Sequence, residues 1–136
     1  MDLYKHRVEY YETDRMGITH HSNYIRWMEE ARTNYFMVTG MDYREIEKKG
    51  YYSPVIRAEM QFLKTSTYED VVTIDVQLAE YDNVKFAFDY VMTKEDGTVI
   101  FRGRSEHCFM TVEGRPVRVD RVMPEVAEIF RSHIPG

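Results

Sequence analysis

The chain has 136 residues, of which 43% are hydrophobic and 30% are charged, and its formal net charge is -5. This length fits one domain covering residues 1–136, the composition argues against disorder, and the acidic balance gives no general attraction to nucleic acid. Cys108 is the single cysteine, which excludes an internal disulfide and a cysteine-rich metal site. Since the sequence shows neither an apolar leader nor an apolar run of membrane-spanning length, we expect a cytoplasmic protein.

The first part of the chain is predicted to form a strand followed by a long helix. β-branched and aromatic residues from Lys5 onward predict a first strand that ends near Asp14. From Asn23 onward, apolar residues recur at helical spacing. They are Tyr24, Trp27, Met28, Ala31, Tyr35 and Val38. Ser22 or Asn23 can cap the start of this helix, and Gly40 can end it.

The second part of the chain is predicted to form a sheet. A short helix at residues 43–49 is followed by four segments rich in β-branched and aromatic residues, at 58–63, 71–79, 85–93 and 98–112. Residues 95–97 predict the hairpin turn between the last two strands, and residues 124–130 a short closing helix. This order lacks the strand–helix alternation of a parallel sheet. It predicts an α+β fold in which an antiparallel sheet packs on one long helix.

One segment combines an acid, a glycine and two histidines just ahead of the long helix. It covers residues 10–24 and reads YYETDRMGITHHSNY. The N-terminus of a helix presents unpaired backbone N–H groups and a partial positive charge, so it polarises a carbonyl placed there. A nearby carboxylate can attack that carbonyl or activate water. The segment therefore suggests acyl-transfer chemistry.

The same segment fits a longer pattern, which reads Y-x-x-T-D-x-x-G-x-x-x-H-x-N-Y from Tyr10 to Tyr24 and continues with Trp27 and the EAR run at residues 30–32. This pattern resembles the hotdog-fold acyl-CoA thioesterases, most closely the 4-hydroxybenzoyl-CoA thioesterase type with its YbgC-like enzymes. The resemblance implies an antiparallel sheet of five or six strands wrapped around one long central helix. It also implies homodimers or homotetramers with active sites between subunits, and an acyl-CoA substrate.

The resemblance further assigns roles to individual residues. It implies that Asp14 is the catalytic carboxylate, that the backbone N–H of His21 holds the thioester carbonyl, and that Tyr10 belongs to the site. It implies no metal and no bound cofactor, because coenzyme A is part of the substrate. The chain departs from many relatives at Arg15 and Met16, where small residues are common. This departure bears on the shape of the acyl pocket more than on the chemistry.

Each of these residues also has a simpler interpretation. Asp14 is a residue type that often caps turns, and as a catalyst it can either attack the carbonyl or orient water. Gly17, predicted to bind substrate, can allow close backbone approach and can also occupy a positive-φ turn, and the two interpretations are compatible. His20 and His21 are alternatively loop histidines, or a metal trio with Asp14, although adjacent side chains tend to point apart.

The predicted strand also bears on two further residues. Tyr10 lies four residues before Asp14 and would share its side of a straight strand, which allows a hydrogen bond to Asp14 or to substrate. A half-buried packing tyrosine is an equal alternative. Glu12 lies two residues before Asp14, so it would also share that side of the strand and would raise the pKa of Asp14 by like-charge proximity. We nevertheless expect Glu12 to be solvent-exposed at the strand end.

Coenzyme A carries phosphates, so an acidic protein must gather cations locally to bind it. Lys85, Arg102 and Arg104 are the candidates, because neighbouring strands can bring them to one face and because the family holds the nucleotide with basic residues in this part of the sheet. A solvated charged strand face is the alternative. Two other functions stay open, an acyl-carrier-protein thioesterase and an acyl-binding module without turnover.

Overall fold

The computed structural model describes residues 3–134. Its strands are β1 (Tyr4–Arg7), β2 (Val55–Phe62), β3 (Val71–Tyr81), β4 (Lys85–Lys94) and β5 (Val99–Cys108). Its α-helices are α1 (Ser22–Val38), α2 (Tyr43–Lys48), α3 (Val119–Val122) and α4 (Pro124–His133), and a 3-10 helix spans Tyr10–Glu12. In this range no helix combines the length and the apolar character needed to cross a membrane.

The five strands form one antiparallel sheet in the order β1-β3-β4-β5-β2. Strand β1 pairs with β3, with Tyr4 opposite Ile74. Residues 95–98 connect β4 and β5, and Gly97 adopts a φ of 90°, which favours glycine, while its N–H donates to the Lys94 carbonyl at 2.9 Å. The predicted hairpin turn is thus confirmed, and β1 and β2 are the edges of the sheet.

The described residues form two compact units, to which α1 and each strand from β2 to β5 contribute. Unit 1 contains residues 3–35, 60–76 and 90–103, and unit 2 contains residues 36–59, 77–89 and 104–134. The predicted single domain over residues 1–136 stays a prediction, and its first two and last two residues lie outside the described range.

Each unit has an aromatic core built by helix and strand residues. In unit 1, Tyr24 of α1 stacks on Phe101 of β5 with ring centroids 5.3 Å apart, and Trp27 is fully buried. In unit 2, Phe130 of α4 packs against Phe86 of β4 at 4.8 Å. Burying such side chains is the main favourable term in folding, at about 25 cal/mol per Å² of apolar surface.

The first strand is shorter than the sequence predicts, ending at Arg7 rather than near Asp14. The chain turns there because the N–H of Glu12 donates to the carbonyl of Glu9 at 2.9 Å, which starts the 3-10 helix. Tyr10 and Asp14 therefore do not lie on one side of a common strand, and that prediction is wrong.

Helix α1 and the four later strands lie within a few residues of their predicted bounds. Gly40 ends the region of α1 with a φ of 89°, and the N–H of Met41 donates back to the Phe36 carbonyl at 2.9 Å, which is the glycine-ended form of a helix terminus. Val38, the last apolar residue at helical spacing, is the last residue of α1 and is 45% exposed. Helix α3 is absent from the predicted elements.

Candidate active site

Asp14 begins a tight turn that uses only one of its carboxylate oxygens. The backbone carbonyl of Asp14 accepts a hydrogen bond from the N–H of Gly17 at 3.0 Å, and its Oδ1 accepts one from the N–H of Met16 at 2.8 Å. Within residues 3–134, Oδ2 has no hydrogen-bond partner. The turn-capping and the catalytic interpretations of Asp14 are therefore compatible, since one oxygen orients the side chain and the other is available.

The two ends of this turn are held together. Thr13 and Thr19 form an antiparallel bridge, and the N–H of Asp14 donates to the carbonyl of Ile18 at 2.8 Å. The N–H of Thr19 donates to the carbonyl of Ser66 at 2.8 Å, which ties the turn to the segment after β2. We call residues 13–19 the Asp14 turn.

Gly17 adopts a φ of 78°, a conformation that side chains other than glycine rarely take. A Cβ built on it would meet nothing within 4 Å, so the backbone angle and not crowding favours glycine. Its carbonyl accepts a hydrogen bond from the Thr67 hydroxyl at 2.7 Å. Gly17 thus occupies a positive-φ turn, and its contact with substrate stays a prediction.

The start of α1 offers a backbone donor at His21. The N–H of Ser22 donates to Nδ1 of His20 at 3.2 Å, and the N–H of Asn23 donates to the carbonyl of His20 at 3.0 Å. Within residues 3–134, the N–H of His21 has no acceptor. His21 itself is exposed, and its ring stacks on that of His20 at 4.4 Å. An unpaired donor thus lies at the positive end of a 17-residue helix.

The predicted caps of α1 act differently from expectation. Ser22 is the first helical residue, and its hydroxyl lies 2.8 Å from Nδ1 of His20. Asn23 is buried, and its side-chain amide donates to the carbonyl of Glu12 at 3.0 Å and to that of His20 at 3.2 Å. Asn23 therefore fastens the segment ahead of the helix instead of accepting from the helix itself.

Glu12 is buried, which contradicts the predicted exposure. Only 5% of it is accessible, and its carboxylate accepts three hydrogen bonds. Trp27 Nε1 donates to Oε2 at 2.8 Å, the Glu9 N–H donates to Oε1 at 2.8 Å, and His6 Nε2 lies 2.8 Å from Oε1. Burial acts to raise the pKa of Glu12, but the hydrogen bonds from Glu9, His6 and Trp27 and the charge of His6 outweigh it and leave the pKa below its ordinary value.

His6 connects Glu12 to helix α1. Its Nδ1 lies 2.9 Å from Oε2 of Glu30, and its ring packs against Trp27 at a centroid distance of 4.6 Å. A neutral imidazole carries one N–H, whereas the imidazolium can donate to both carboxylates. We call His6, Glu12, Trp27 and Glu30 the Glu12 cluster.

Tyr10 lies outside any strand, on the 3-10 helix. It is 76% exposed, and its ring meets Tyr68 edge to face at 5.6 Å. Among the described residues, its hydroxyl has no hydrogen bond to Asp14. Tyr10 is thus neither half-buried nor bonded to the carboxylate, and a contact with substrate is the interpretation that stays open.

A half-exposed aromatic side chain borders the helix start. Phe62, at the end of β2, is 50% exposed and meets His21 edge to face at 6.2 Å. Its other contacts are with the buried rings of Tyr24 and Phe101, at 5.5 and 5.8 Å. Phe62 therefore presents apolar surface beside the His21 side chain.

The three predicted cationic residues divide between the units. Arg102 is exposed in unit 1, whereas Lys85 and Arg104 belong to unit 2. Arg104 pairs with Glu80 at 3.0 Å and with Asp89 at 3.2 Å, as a solvated charged strand face would. Lys85 is one of the residues lining a cavity of about 370 Å³.

The sequence analysis does not identify two groups of residues around the site, the Glu12 cluster and the pair Ser66 and Thr67. The Glu12 cluster depends on partners far apart in the chain, and Ser66 and Thr67 reach the Asp14 turn from a loop with no distinctive motif.

For the metal alternative, residues 3–134 contain no group of three or more histidine, cysteine, aspartate or glutamate side chains that could hold an ion.

Known proteins are similar to this chain in sequence and in architecture. The model of the thioesterase-like superfamily matches residues 8–130. The chain is 34% identical to a protein of Aquifex aeolicus named "Putative esterase", over 96% of this chain and 98% of the other. It is 30% identical to "Putative acyl-CoA thioesterase YneP" of Bacillus subtilis, over 87% and 86%. A DHNA-CoA thioesterase structure from Staphylococcus aureus has a TM-score of 0.93 at 28% identity, over 96% and 89%. The predicted α+β hotdog fold is thereby confirmed.

Proposed function

Because the chain belongs to the thioesterase-like superfamily and is a thioester hydrolase, we propose that it converts an acyl-CoA to a free acid and CoA, using Asp14 and the start of α1. The observation that carries this proposal is the presence of two unused groups in one short segment of the chain. Asp14 Oδ2 lacks a partner and so does the N–H of His21, within residues 3–134. A carboxylate and a backbone donor are the two groups that thioester hydrolysis needs.

Two routes use these groups, and each accounts for the bonds formed and broken and for the leaving group. In the first, Asp14 Oδ2 attacks the carbonyl carbon, the thiolate of CoA leaves, and water hydrolyses the resulting mixed anhydride to the acid. In the second, Asp14 takes a proton from water as the water oxygen attacks, and the departing thiolate receives a proton. In both, the oxyanion accepts a hydrogen bond from the His21 N–H, a contact whose loss typically costs about a hundred- to a thousandfold in rate.

No resident metal or cofactor enters either route, because a thiolate is a good leaving group and the helix N-terminus stabilises the oxyanion. We propose that coenzyme A takes part only as a portion of the substrate. For its phosphates we retain Lys85, Arg102 and Arg104, of which Lys85 and Arg102 are exposed.

We further propose that the acyl group lies against Phe62 and that Tyr10 contacts the substrate. The support is the half-exposed Phe62 ring next to His21 and the 76% exposed Tyr10. An apolar wall next to the oxyanion donor would orient the acyl chain while leaving the carbonyl within reach.

A homodimer or homotetramer with active sites shared between subunits completes the proposal. The support from this chain is edge strand β2, where seven of eight residues are exposed. Its exposed apolar side chains include Val55, Ile56 and Met60. An exposed apolar strand edge is a surface that favours pairing with another chain.

The test is thiol release from a panel of short, branched, aromatic and long acyl-CoAs, together with an acyl-carrier-protein thioester. We expect turnover on acyl-CoA that collapses in Asp14→Asn. Turnover confined to the carrier-protein substrate would replace the CoA proposal. Acyl-CoA binding without thiol release would indicate a binding module, and unchanged turnover in Asp14→Asn would remove Asp14 from the catalytic role.

A further inference from the structure

We propose that Glu12 is a positioning residue for the thioester hydrolysis, because its buried side chain and its backbone carbonyl together fix the Asp14 turn against the start of α1. The inference rests on the proposed roles of Asp14 and His21. It concerns a carboxylate that touches neither the proposed nucleophile nor the proposed oxyanion donor.

Glu12 makes contacts at both of its ends. Its carboxylate accepts from Trp27 Nε1 and from the Glu9 N–H, each at 2.8 Å, and lies 2.8 Å from His6 Nε2. Its backbone carbonyl accepts from the His20 N–H at 2.8 Å and from the Asn23 amide at 3.0 Å. One residue therefore connects the interior of α1, through Trp27, with the residues just ahead of that helix.

The position of Glu12 in the chain gives these contacts a functional meaning. Asp14 follows Glu12 by two residues, and His21 follows His20 by one. The hydrogen bond from the His20 N–H to the Glu12 carbonyl thus closes the loop that carries Asp14, and it does so at the residue directly before His21. A displacement of Glu12 would alter the spacing between the carboxylate and the His21 N–H, and a shift of about 1 Å in such a spacing can cost a hundredfold in rate.

A charged residue at this place is hard to explain by stability alone. Burying a carboxylate costs several kcal/mol unless its partners are well placed, and an apolar residue of similar volume is often equally stable or more so. The carboxylate does supply two acceptor oxygens, which here engage three neighbours. A directional contact of this kind fixes the orientation of Glu12, which apolar packing would do less well.

The test combines kinetics with hydrogen exchange in Glu12→Gln. Glutamine keeps the side-chain shape but has only one acceptor oxygen. Its N–H₂ group would face the Glu9 N–H or the Trp27 N–H, each of which donates to Glu12. We expect kcat to fall about 10- to 100-fold while KM stays within about threefold. In an Asp14→Asn background the same change should alter kcat by less than about twofold, because Glu12 acts through Asp14. A fall in kcat of the same size in the wild-type and in the Asp14→Asn background would overturn the proposal.

A second readout needs no substrate. Amide hydrogen exchange over residues 13–21 should be faster in Glu12→Gln than in the wild type, and unchanged in Glu29→Gln, a control at an exposed position of α1. Unchanged exchange in Glu12→Gln overturns the positioning role whether or not the wild type is active. A wild type that hydrolyses no acyl thioester overturns the proposed function instead.

If Glu12→Gln fails to fold, Trp27→Phe replaces it. This change keeps an aromatic ring in the core and removes the indole N–H that reaches Glu12 Oε2, together with part of the buried ring volume. We expect the same pattern with a smaller loss of kcat, about three- to tenfold, and faster exchange over residues 13–21. Wild-type kcat together with wild-type exchange in this variant would overturn the proposal.

Discussion

Glu12 and Asp14 are carboxylates two residues apart, yet they lie in contrasting surroundings. Glu12 is 5% exposed and its two oxygens engage three partners, whereas half-buried Asp14 uses one oxygen for the N–H of Met16. A carboxylate whose oxygens are all engaged serves as an anchor, and one with an unused oxygen can act on a substrate. The number of hydrogen bonds that each carboxylate accepts, more than residue type or sequence position, therefore separates the two roles.

The 3-10 helix between β1 and the Asp14 turn produces this difference. It breaks the alternation of a strand, so that Tyr10 and Tyr11 are 76% and 79% exposed while Glu12 is buried. In a straight strand Glu12 and Asp14 would share one face. The 3-10 helix therefore gives Glu12 and Asp14 different environments although they are only two residues apart.

The largest expected effect is on turnover in Asp14→Asn. Asparagine keeps an oxygen that can accept from the Met16 N–H, so the turn should survive, but it is neither a nucleophile nor a base. We expect kcat to fall about 10²- to 10⁴-fold with the melting temperature nearly unchanged. Thiol release and thermal melts measure the two quantities, with Glu95→Gln in the β4–β5 turn as the matched control. A large loss of stability in Asp14→Asn would break the contrast, because Asp14 would then be an anchor as well.

The converse change is Glu12→Ala, which should act first on stability. It leaves the Trp27 N–H and His6 without their acceptor in a buried place, and each buried polar group left unsatisfied costs about 1–3 kcal/mol. Asp14→Ala should cost about 1 kcal/mol or less, because it removes a single hydrogen bond at a partly exposed turn. Urea unfolding of both variants gives the comparison directly. Similar losses in the two variants would contradict the anchor role of Glu12.

A pH series should separate the two acids further. The pKa of Glu12 in the folded protein lies below its ordinary value of 4.5, so Glu12 adds stability that is present above that value and is lost as the pH falls through the folded pKa. Between about pH 6 and pH 3, the wild type should therefore lose more stability than Glu12→Gln. Parallel curves for the two proteins, measured by urea unfolding, would show that Glu12 is not linked to proton uptake.

The sequence predicts those features that depend on neighbours in the chain. Helix α1 follows from its apolar spacing, and the place of Asp14 and His21 in a segment directly before that helix follows from the motif, while their roles stay predictions. The burial of Glu12 depends on His6 and on Trp27, which come together only when β1 packs beside α1. No local pattern reports such a contact, which is why the sequence predicted an exposed strand end. The grouping of Lys85, Arg102 and Arg104 stays a prediction for the same reason.

The smallest expected effect concerns Ser66, which holds the far end of the Asp14 turn without a charge. Its hydroxyl lies 2.7 Å from the Thr19 hydroxyl and 3.0 Å from that of Tyr24, and its carbonyl accepts from the Thr19 N–H. Ser66→Ala removes the hydroxyl but keeps the backbone contact, so we expect a loss of about 1 kcal/mol in the free energy of unfolding. Thr67→Val is the matched control, since it removes an exposed hydroxyl bond and should cost less. A loss in Ser66→Ala as large as that in Glu12→Ala would mean that the charge of Glu12 is not what makes it the stronger anchor.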